Sequence, residues 1–193
     1  MSKALIVIDV QNIYTNRKSE LFCKDSKATV KRINQIIEVF EKKKLPIAYV
    51  RHVHKKNGSD LGRLFDFAGP TEDFNFKEGS DEVKYDSNLK IVKGSFEFTK
   101  NRYSSFTGTG LDKFLKKVKA DTVVIVGFMT NFCCESTTRD AHGLDYFVDF
   151  ITDATGAPAL SEELDEKEIR KVVSEFMGAG FAKTFNTKDY LKQ

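Results

Sequence analysis

Apolar residues fall in short unbroken runs along this chain: ALIVIDV (4–10), PIAYVRH (46–52), KIVKG (90–94), TVVIVGF (122–128), YFVDFIT (146–152) and, more weakly, FAKTFN (181–186). Several of these runs are continuous rather than alternating, which predicts strands covered on both faces, as in a parallel sheet. Between the runs the period becomes helical. In 26–44, Val30, Ile33, Ile37 and Phe40 share one stripe, and Lys42, Lys43 and Lys44 place basic charge at the carbonyl end of the helix. Leu111, Phe114, Leu115 and Val118 repeat the stripe in 110–119 behind a Thr109 cap. Ile169, Val172, Val173 and Phe176 repeat it in 162–178 after Ser161. A further helix is predicted to begin near Cys133 and Cys134 and to end about Gly143.

This β-α-β alternation predicts an α/β fold, a mainly parallel sheet with helices on both faces. Residues 53–89 interrupt it. They are rich in Gly, Asp and Lys and carry Phe65, Phe67, Phe74 and Phe76. They read either as a surface excursion that folds over a site or as a loop pinned by core phenylalanines. A length of 193 residues suits one domain, 1–193, with that loop-rich excursion at about 53–89, and is enough to bury a core without staples.

Charge narrows the function classes. The net charge is +3 with both signs interspersed, so no basic face announces nucleic acid or a membrane surface. The N-terminal MSKALIVIDVQNIY has too short an apolar run for a signal peptide and contains Asp9, and no stretch approaches the roughly 20 apolar residues that span a bilayer. Three cysteines, two of them adjacent, make no disulfide framework. The expected compartment is the cytoplasm, where thiols stay reduced.

In open parallel sheets ligands sit beyond the carboxyl ends of the strands, so the residues that close each strand carry the chemistry. Asp9 closes the first run, where an acid also serves as a turn or capping residue. The turn after Gly127 delivers Cys133 and Cys134 to a helix N-terminus, whose unpaired N–H groups favour a thiolate and can cradle an oxyanion. A buried cysteine is otherwise a small hydrophobe. Lys100, in FTKNRYSSFTGTGL, supplies a cation that would hold a neighbouring thiol and carboxylate in their charged forms.

Asp9 in LIVIDVQN, Lys100 in FTKNRYSSFTGTGL and Cys133 in VGFMTNFCCESTTRDA, followed by FITDATGA, resemble the isochorismatase-like cysteine hydrolase family over roughly residues 3 to 186. The resemblance implies a Rossmann-like, three-layer α/β/α sandwich with a mainly parallel six-stranded sheet. It also implies an Asp-Lys-Cys triad: Asp9 as base, Lys100 as cationic partner, Cys133 as nucleophile. Gly127, Thr130 and Cys133 match the family's G-x-x-T-x-x-C turn, which selects the first cysteine and leaves Cys134 to packing. By the same likeness the Phe128–Met129 peptide is cis, and the backbone N–H groups of Met129 and Cys133 form the oxyanion hole.

The implied reaction is hydrolysis of a C–N bond in a small amide, ureido or carbamoyl compound through a thioester on Cys133. Lys100 and the helix N-terminus are expected to depress the thiol pKa. Arg51, His52 and Arg102 are candidate substrate contacts, the arginines as bidentate carboxylate clamps or else as surface ion pairs. Nicotinamidases within the superfamily hold a metal through Asp-x-His, but AYVRHVHKKNGSD lacks that acid, although His52 and His54 share a face. His142 follows the cysteines on the next helix. Neither metal nor another cofactor is therefore expected. Two alternatives stand beside the amidohydrolase: a vinyl-ether hydrolase of the isochorismatase type, which needs no thiol, and a non-catalytic thiol protein sensing oxidants. The partner expected is a small-molecule substrate, and the family's habit implies a homo-oligomer, dimer or tetramer.

Overall fold

The run KALIVI forms strand β1 (Lys3–Ile8), and Ala4 to Ile8 are fully buried inside a six-stranded sheet. The computed structural model describes residues 2–65 and 74–193. Phe67, one of the four phenylalanines of the 53–89 segment, lies outside the described residues. The remaining strands are β2 (Ile47–His52), β3 (Phe96–Lys100), β4 (Thr122–Phe128), β5 (Phe147–Gly156) and β6 (Lys183–Phe185). Their order is β3-β2-β1-β4-β5-β6, and every pair is parallel.

Helices α1 (Asn12–Thr15), α2 (Ser26–Lys42), α3 (Leu111–Lys117), α4 (Glu135–Gly143), α5 (Glu166–Gly180) and α6 (Thr187–Tyr190) flank the sheet in a three-layer α/β/α sandwich. All seven residues of β4 are buried, so this central strand needs apolar side chains on both faces and its sequence could not alternate. No helix among the described residues is long and apolar enough to cross a membrane.

Two sequence expectations are corrected. The third strand is not KIVKG (90–94) but the following FEFTK. Side chains claim the backbone of 90–92: Asn34 accepts from Lys90 N at 2.9 Å, and the Tyr49 hydroxyl accepts from Val92 N at 3.3 Å while donating to Lys90 O at 2.8 Å. The ladder passes instead to Phe96–Lys100, whose Phe96 and Phe98 rings pack on Phe114. In α5 the buried stripe is Ile169, Val173 and Met177, whereas Val172 and Phe176 face outward. The cap there is Asp165, which accepts from Glu168 N at 2.9 Å, so the helix starts four residues later than Ser161 suggests.

The chain runs β1, β2, β3 to one side of the sheet and then returns to place β4 on the other side of β1. The strand order thus reverses between β1 and β4, and the crevice at their carboxyl ends is the switch point where open α/β sheets bind ligands. Gly127 makes this junction tight. It pairs with Ile8 at φ +127°, and a Cβ there would overlap the Ile8 carbonyl oxygen, so only glycine lets the two strand ends meet.

Candidate active site

Three strand ends converge on one point. Asp9 follows β1 directly, held in a left-handed conformation at φ 50° that Asp tolerates better than most residues. Lys100 is the last residue of β3. Cys133 sits in a π-helical turn, Thr130–Cys134, between β4 and α4. Such turns are rare and concentrate at functional sites. Lys100 Nζ lies 2.8 Å from Asp9 Oδ2 and 3.1 Å from Cys133 Sγ, and it donates to Arg102 O at 3.1 Å. The ammonium thus makes two hydrogen bonds and one ion pair. Asp9, Lys100 and Cys133 are all nearly inaccessible to solvent. The peptide between Phe128 and Met129 is cis. Among the described residues no backbone carbonyl accepts from the Met129 N–H.

Burial sets the protonation states. Desolvation pushes the Asp9 carboxyl upward, and the Lys100 charge opposes it only in part. Asp9 touches Lys100 as an ion pair, but neither carboxylate oxygen has a well-aligned donor, so both keep lone pairs able to take a proton. Burial pulls Lys100 down, yet Asp9 and Cys133 more than restore it, so the ammonium stays charged. Burial pushes the Cys133 thiol up to about 12 against the pull of Lys100. The expected depression of the thiol pKa is therefore corrected: Lys100 and the helix N-terminus reduce a desolvation penalty that they do not overcome. Burial thus favours the protonated thiol, whose proton would have to leave for the sulfur to act as a nucleophile. Sγ and the nearest Asp9 oxygen lie within 4.8 Å, close enough for that transfer once a substrate settles them.

The sign of the resulting pH dependence follows. Above about pH 8.5 the unfolded chain loses the Cys133 proton that the folded chain retains until about 12. Stability then falls as pH rises through this window. Urea unfolding midpoints should be lower at about pH 10 than at about pH 8. Alkylation of Cys133 in the substrate-free protein should be slow below neutrality and accelerate with pH. Rapid labelling at about pH 6 would contradict the resting thiol.

The two cysteines separate cleanly. Cys133 lines a cavity of about 210 Å³ together with Tyr14, His52, Phe76, Met129 and Phe132. Cys134 is fully buried outside that lining, its N–H given to Met129 O at 3.1 Å and its carbonyl accepting from Thr138 Oγ1 at 2.8 Å. Thr130 Oγ1 donates to Thr155 Oγ1 at 2.9 Å, tying the turn to β5.

His52 also reaches the cavity, stacked on Phe76 with centroids 4.3 Å apart. The arginines do not. Arg51 stands 3.8 Å from Glu97 and over the Tyr85 ring, and Arg102 Nη1 donates to the carbonyls of Asp60 and Asn101 at 2.7 and 2.6 Å. The guanidiniums expected as carboxylate clamps are thereby engaged elsewhere, Arg51 by Glu97 on the neighbouring strand β3 and Arg102 by the carbonyls of Asp60 and Asn101. Sequence reading also passed over Gln11. Its carboxamide accepts from His52 N at 2.8 Å and donates to the carbonyls of His52 and Val83 at 3.0 and 3.1 Å, locking the ends of β1 and β2 together. A fully polar side chain two residues after a strand-end acid, in an otherwise apolar stretch, was the available signal. Phe65 and Phe76 of the 53–89 segment line the cavity, so that segment contributes to its wall.

A divalent metal does not fit these residues. Asp9, His52 and Cys133 present ligand atoms within 4.8 Å of one another, but the Lys100 ammonium stands between Asp9 and Cys133 as a fixed cation. His52 Nε2 and His54 Nε2 lie 3.0 Å apart, one donating to the other, and the acid beside them, Asp60, stands 3.6 Å from the opposite ring nitrogen, His54 Nδ1. Burial first, and Lys100 next, hold His52 well below its ordinary pKa, so the ring is neutral.

A parallel α/β sheet with a buried acid, ammonium and thiol at its switch point defines a class of hydrolytic enzyme rather than a binding scaffold. Residues 3–181 match the Isochorismatase domain, and the chain belongs to the isochorismatase family of hydrolases. It is 30% identical over 173 residues to Nicotinamidase 3 of Arabidopsis thaliana, covering 90% of this chain and 81% of that one. It is 27% identical over 142 residues to N-carbamoylsarcosine amidase of an Arthrobacter species, covering 72% of this chain and 53% of the other. Among solved structures, a cysteine hydrolase from Pseudomonas syringae pv. phaseolicola aligns with a TM-score of 0.88 at 24% identity, over 98% of this chain and 91% of that one.

Proposed function

We propose that this hydrolase cleaves the C–N bond of a small amide, ureido or carbamoyl compound, with Cys133 as nucleophile, Asp9 as proton carrier and Lys100 as the fixed cation between them. The observation that carries this reading is the contact of one buried ammonium with both the carboxylate and the sulfur. Asp9 takes the thiol proton as sulfur attacks the carbonyl carbon. The N–H groups of Met129 and Cys133 hold the oxyanion, a contribution of several kcal/mol when the donors are preorganised. Collapse breaks the C–N bond, and Asp9 returns the proton to the departing ammonia or amine. Asp9 then deprotonates a water that attacks the thioester, releasing the acid and restoring the thiol.

The raised Asp9 pKa suits this double duty, because a carboxyl nearer neutrality both accepts and returns a proton readily. Vinyl-ether cleavage would leave the pairing of Lys100 with Cys133 without a purpose. The test is an ammonia-release screen over amides, ureas and carbamoyl compounds, with Cys133→Ala protein as control. Thiol-dependent release supports the reading. Release that survives removal of the thiol, or chorismate-type turnover in its place, sinks it. Activity should persist undiminished after dialysis against a strong chelator, since Lys100 supplies the positive charge. Loss on chelation with recovery on adding zinc or iron would contradict this.

A further inference from the structure

We propose that Thr155 is a positioning residue for the active-site turn: its hydroxyl fixes Thr130, and through it the stretch from Met129 to Cys133. This rests on the amidohydrolase reading of the same site and adds to it a residue that touches no reacting atom. Thr155 lies near the end of β5, the strand beside β4. The two strands pair Ile125 with Phe150, and then the ladder shifts, so that Gly127 meets Thr155 and Phe128 meets Gly156. Residues 151–154 therefore stand against Val126 alone. Irregularities of this kind re-aim the side chains that follow them. Here the shift delivers a hydroxyl to the first residue of the π-helical turn.

The hydrogen bonds run in one direction. Thr155 Oγ1 donates to Thr152 O at 3.0 Å, inside the bulged stretch, so its single proton is used. It therefore faces Thr130 as an acceptor, and Thr130 Oγ1 donates to it at 2.9 Å. Thr130 and Thr155 are both fully buried, so bulk water replaces neither partner. The same end of β5 backs the turn in two further ways. A Cβ on Gly156 would come within 2.6 Å of the Phe128 ring, which is stacked on Tyr14, so glycine is what lets β5 approach the residue before Met129. Arg170 Nε donates to Thr155 O at 3.1 Å, and Arg170 Nη2 is in turn held by Glu166 Oε1 at 3.2 Å. Thr155 is thus tied to α5 by its carbonyl and to the turn by its hydroxyl.

Oxyanion donors act only where they are already in place, and a misplacement of about 1 Å costs about a hundredfold in rate. A turn without the Thr130 anchor keeps Asp9, Lys100 and Cys133 but no longer holds the Met129 N–H in fixed relation to the sulfur. Thr155 makes and breaks no covalent bond in this role.

Thr155→Val and Thr130→Val each remove one end of the hydroxyl pair at nearly unchanged size, and Thr155→Ser keeps it. Benzaldehyde is titrated into each protein and the loss of its ultraviolet carbonyl absorption is followed, with Cys133→Ala as the blank. The Cys133 sulfur bonds to the aldehyde carbon, the carbonyl π pair moves to oxygen, and the thiol proton passes to that oxygen. The resulting hemithioacetal places its oxygen at the oxyanion site and cannot be hydrolysed as an amide. Affinity should fall by about tenfold in each valine variant, by no more in the double variant, and return to within about threefold in Thr155→Ser. With an amide from the ammonia-release screen, each valine variant should lower kcat by at least about tenfold and leave KM within about threefold. A purely structural hydroxyl would lower the melting temperature and leave both readouts unchanged. Equal benzaldehyde affinity in all the proteins, no adduct on Cys133 before substitution, losses that add in the double variant, or Thr155→Ser as impaired as Thr155→Val would each overturn the proposal. If Thr155→Val does not fold, Thr130→Val reads the same bond from its other end with the same expected losses. Because benzaldehyde affinity is read without turnover, affinity that tracks the hydroxyl pair in a protein releasing no ammonia would refute the reaction and leave the positioning role standing.

Discussion

Cys133→Ala should lower kcat for amide hydrolysis by at least about a thousandfold while the protein stays folded. On the proposed mechanism the substitution removes the atom that would form the thioester, and no other cysteine sulfur lines the cavity: the adjacent one is sealed into the interior behind Met129 and Thr138. The lost sulfur contacts should cost about 1–2 kcal/mol of stability. Cys134→Ala should show the reverse, a similar loss of stability from a small void with turnover kept within a few fold. Steady-state kinetics and urea unfolding on the two variants decide it. Equal loss of activity in both would mean that the sulfur of Cys133 is not the special one.

Lys100→Met should be the most destabilising single change at the site. The side chains of the Asp9–Lys100 pair are fully buried, and removing the cation strands a carboxylate whose oxygens have no aligned donor. Breaking such a pair costs about 3–5 kcal/mol, most of it the desolvation of the charge left behind. Asp9→Asn combined with Lys100→Met removes both charges, so the double variant should regain much of that loss, about 2 kcal/mol or more of coupling in a double-mutant cycle. Activity should not return with stability, since the proposed proton carrier and the fixed cation are both gone. Additive losses in unfolding free energy would show that the two charges do not depend on each other.

The sheet was legible because burial on both faces leaves its mark in composition. Five of six strands were placed within a few residues from continuous apolar runs, and the exception is instructive. KIVKG looks like a strand, yet its backbone is claimed by Asn34 and Tyr49, two residues distant in sequence, and no local pattern announces that. The α5 stripe failed for a related reason. Val172 and Phe176 fit the period of a buried face, but the packed face is Ile169, Val173 and Met177. Periodicity finds a helix more readily than it chooses between adjacent stripes.

At the site, the positions of Asp9, Lys100 and Cys133 were legible from strand ends and from motif order. Their electrostatics were not. Whether Lys100 depresses the thiol depends on how far burial works against it, and burial is a property of the assembled sheet. Gln11 was hidden similarly, since its hydrogen bonds go to His52 and Val83, distant in sequence, which only the fold brings near. For the arginines the sequence left two readings, clamp or ion pair, because proximity to a strand end does not say which acceptor a long side chain reaches first.

The central claim is a covalent intermediate on one sulfur, and intact-protein mass spectrometry on acid-quenched turnover tests it most directly. A substrate from the ammonia-release screen should add the mass of its acyl group, with the amine lost, and peptide mapping should place that mass on Cys133. The adduct should disappear as substrate is exhausted and be absent in Cys133→Ala. An acyl mass mapped to Cys134, or vigorous turnover under rapid quench with no adduct on any cysteine in a protein whose Cys133→Ala variant remains active, would contradict the account.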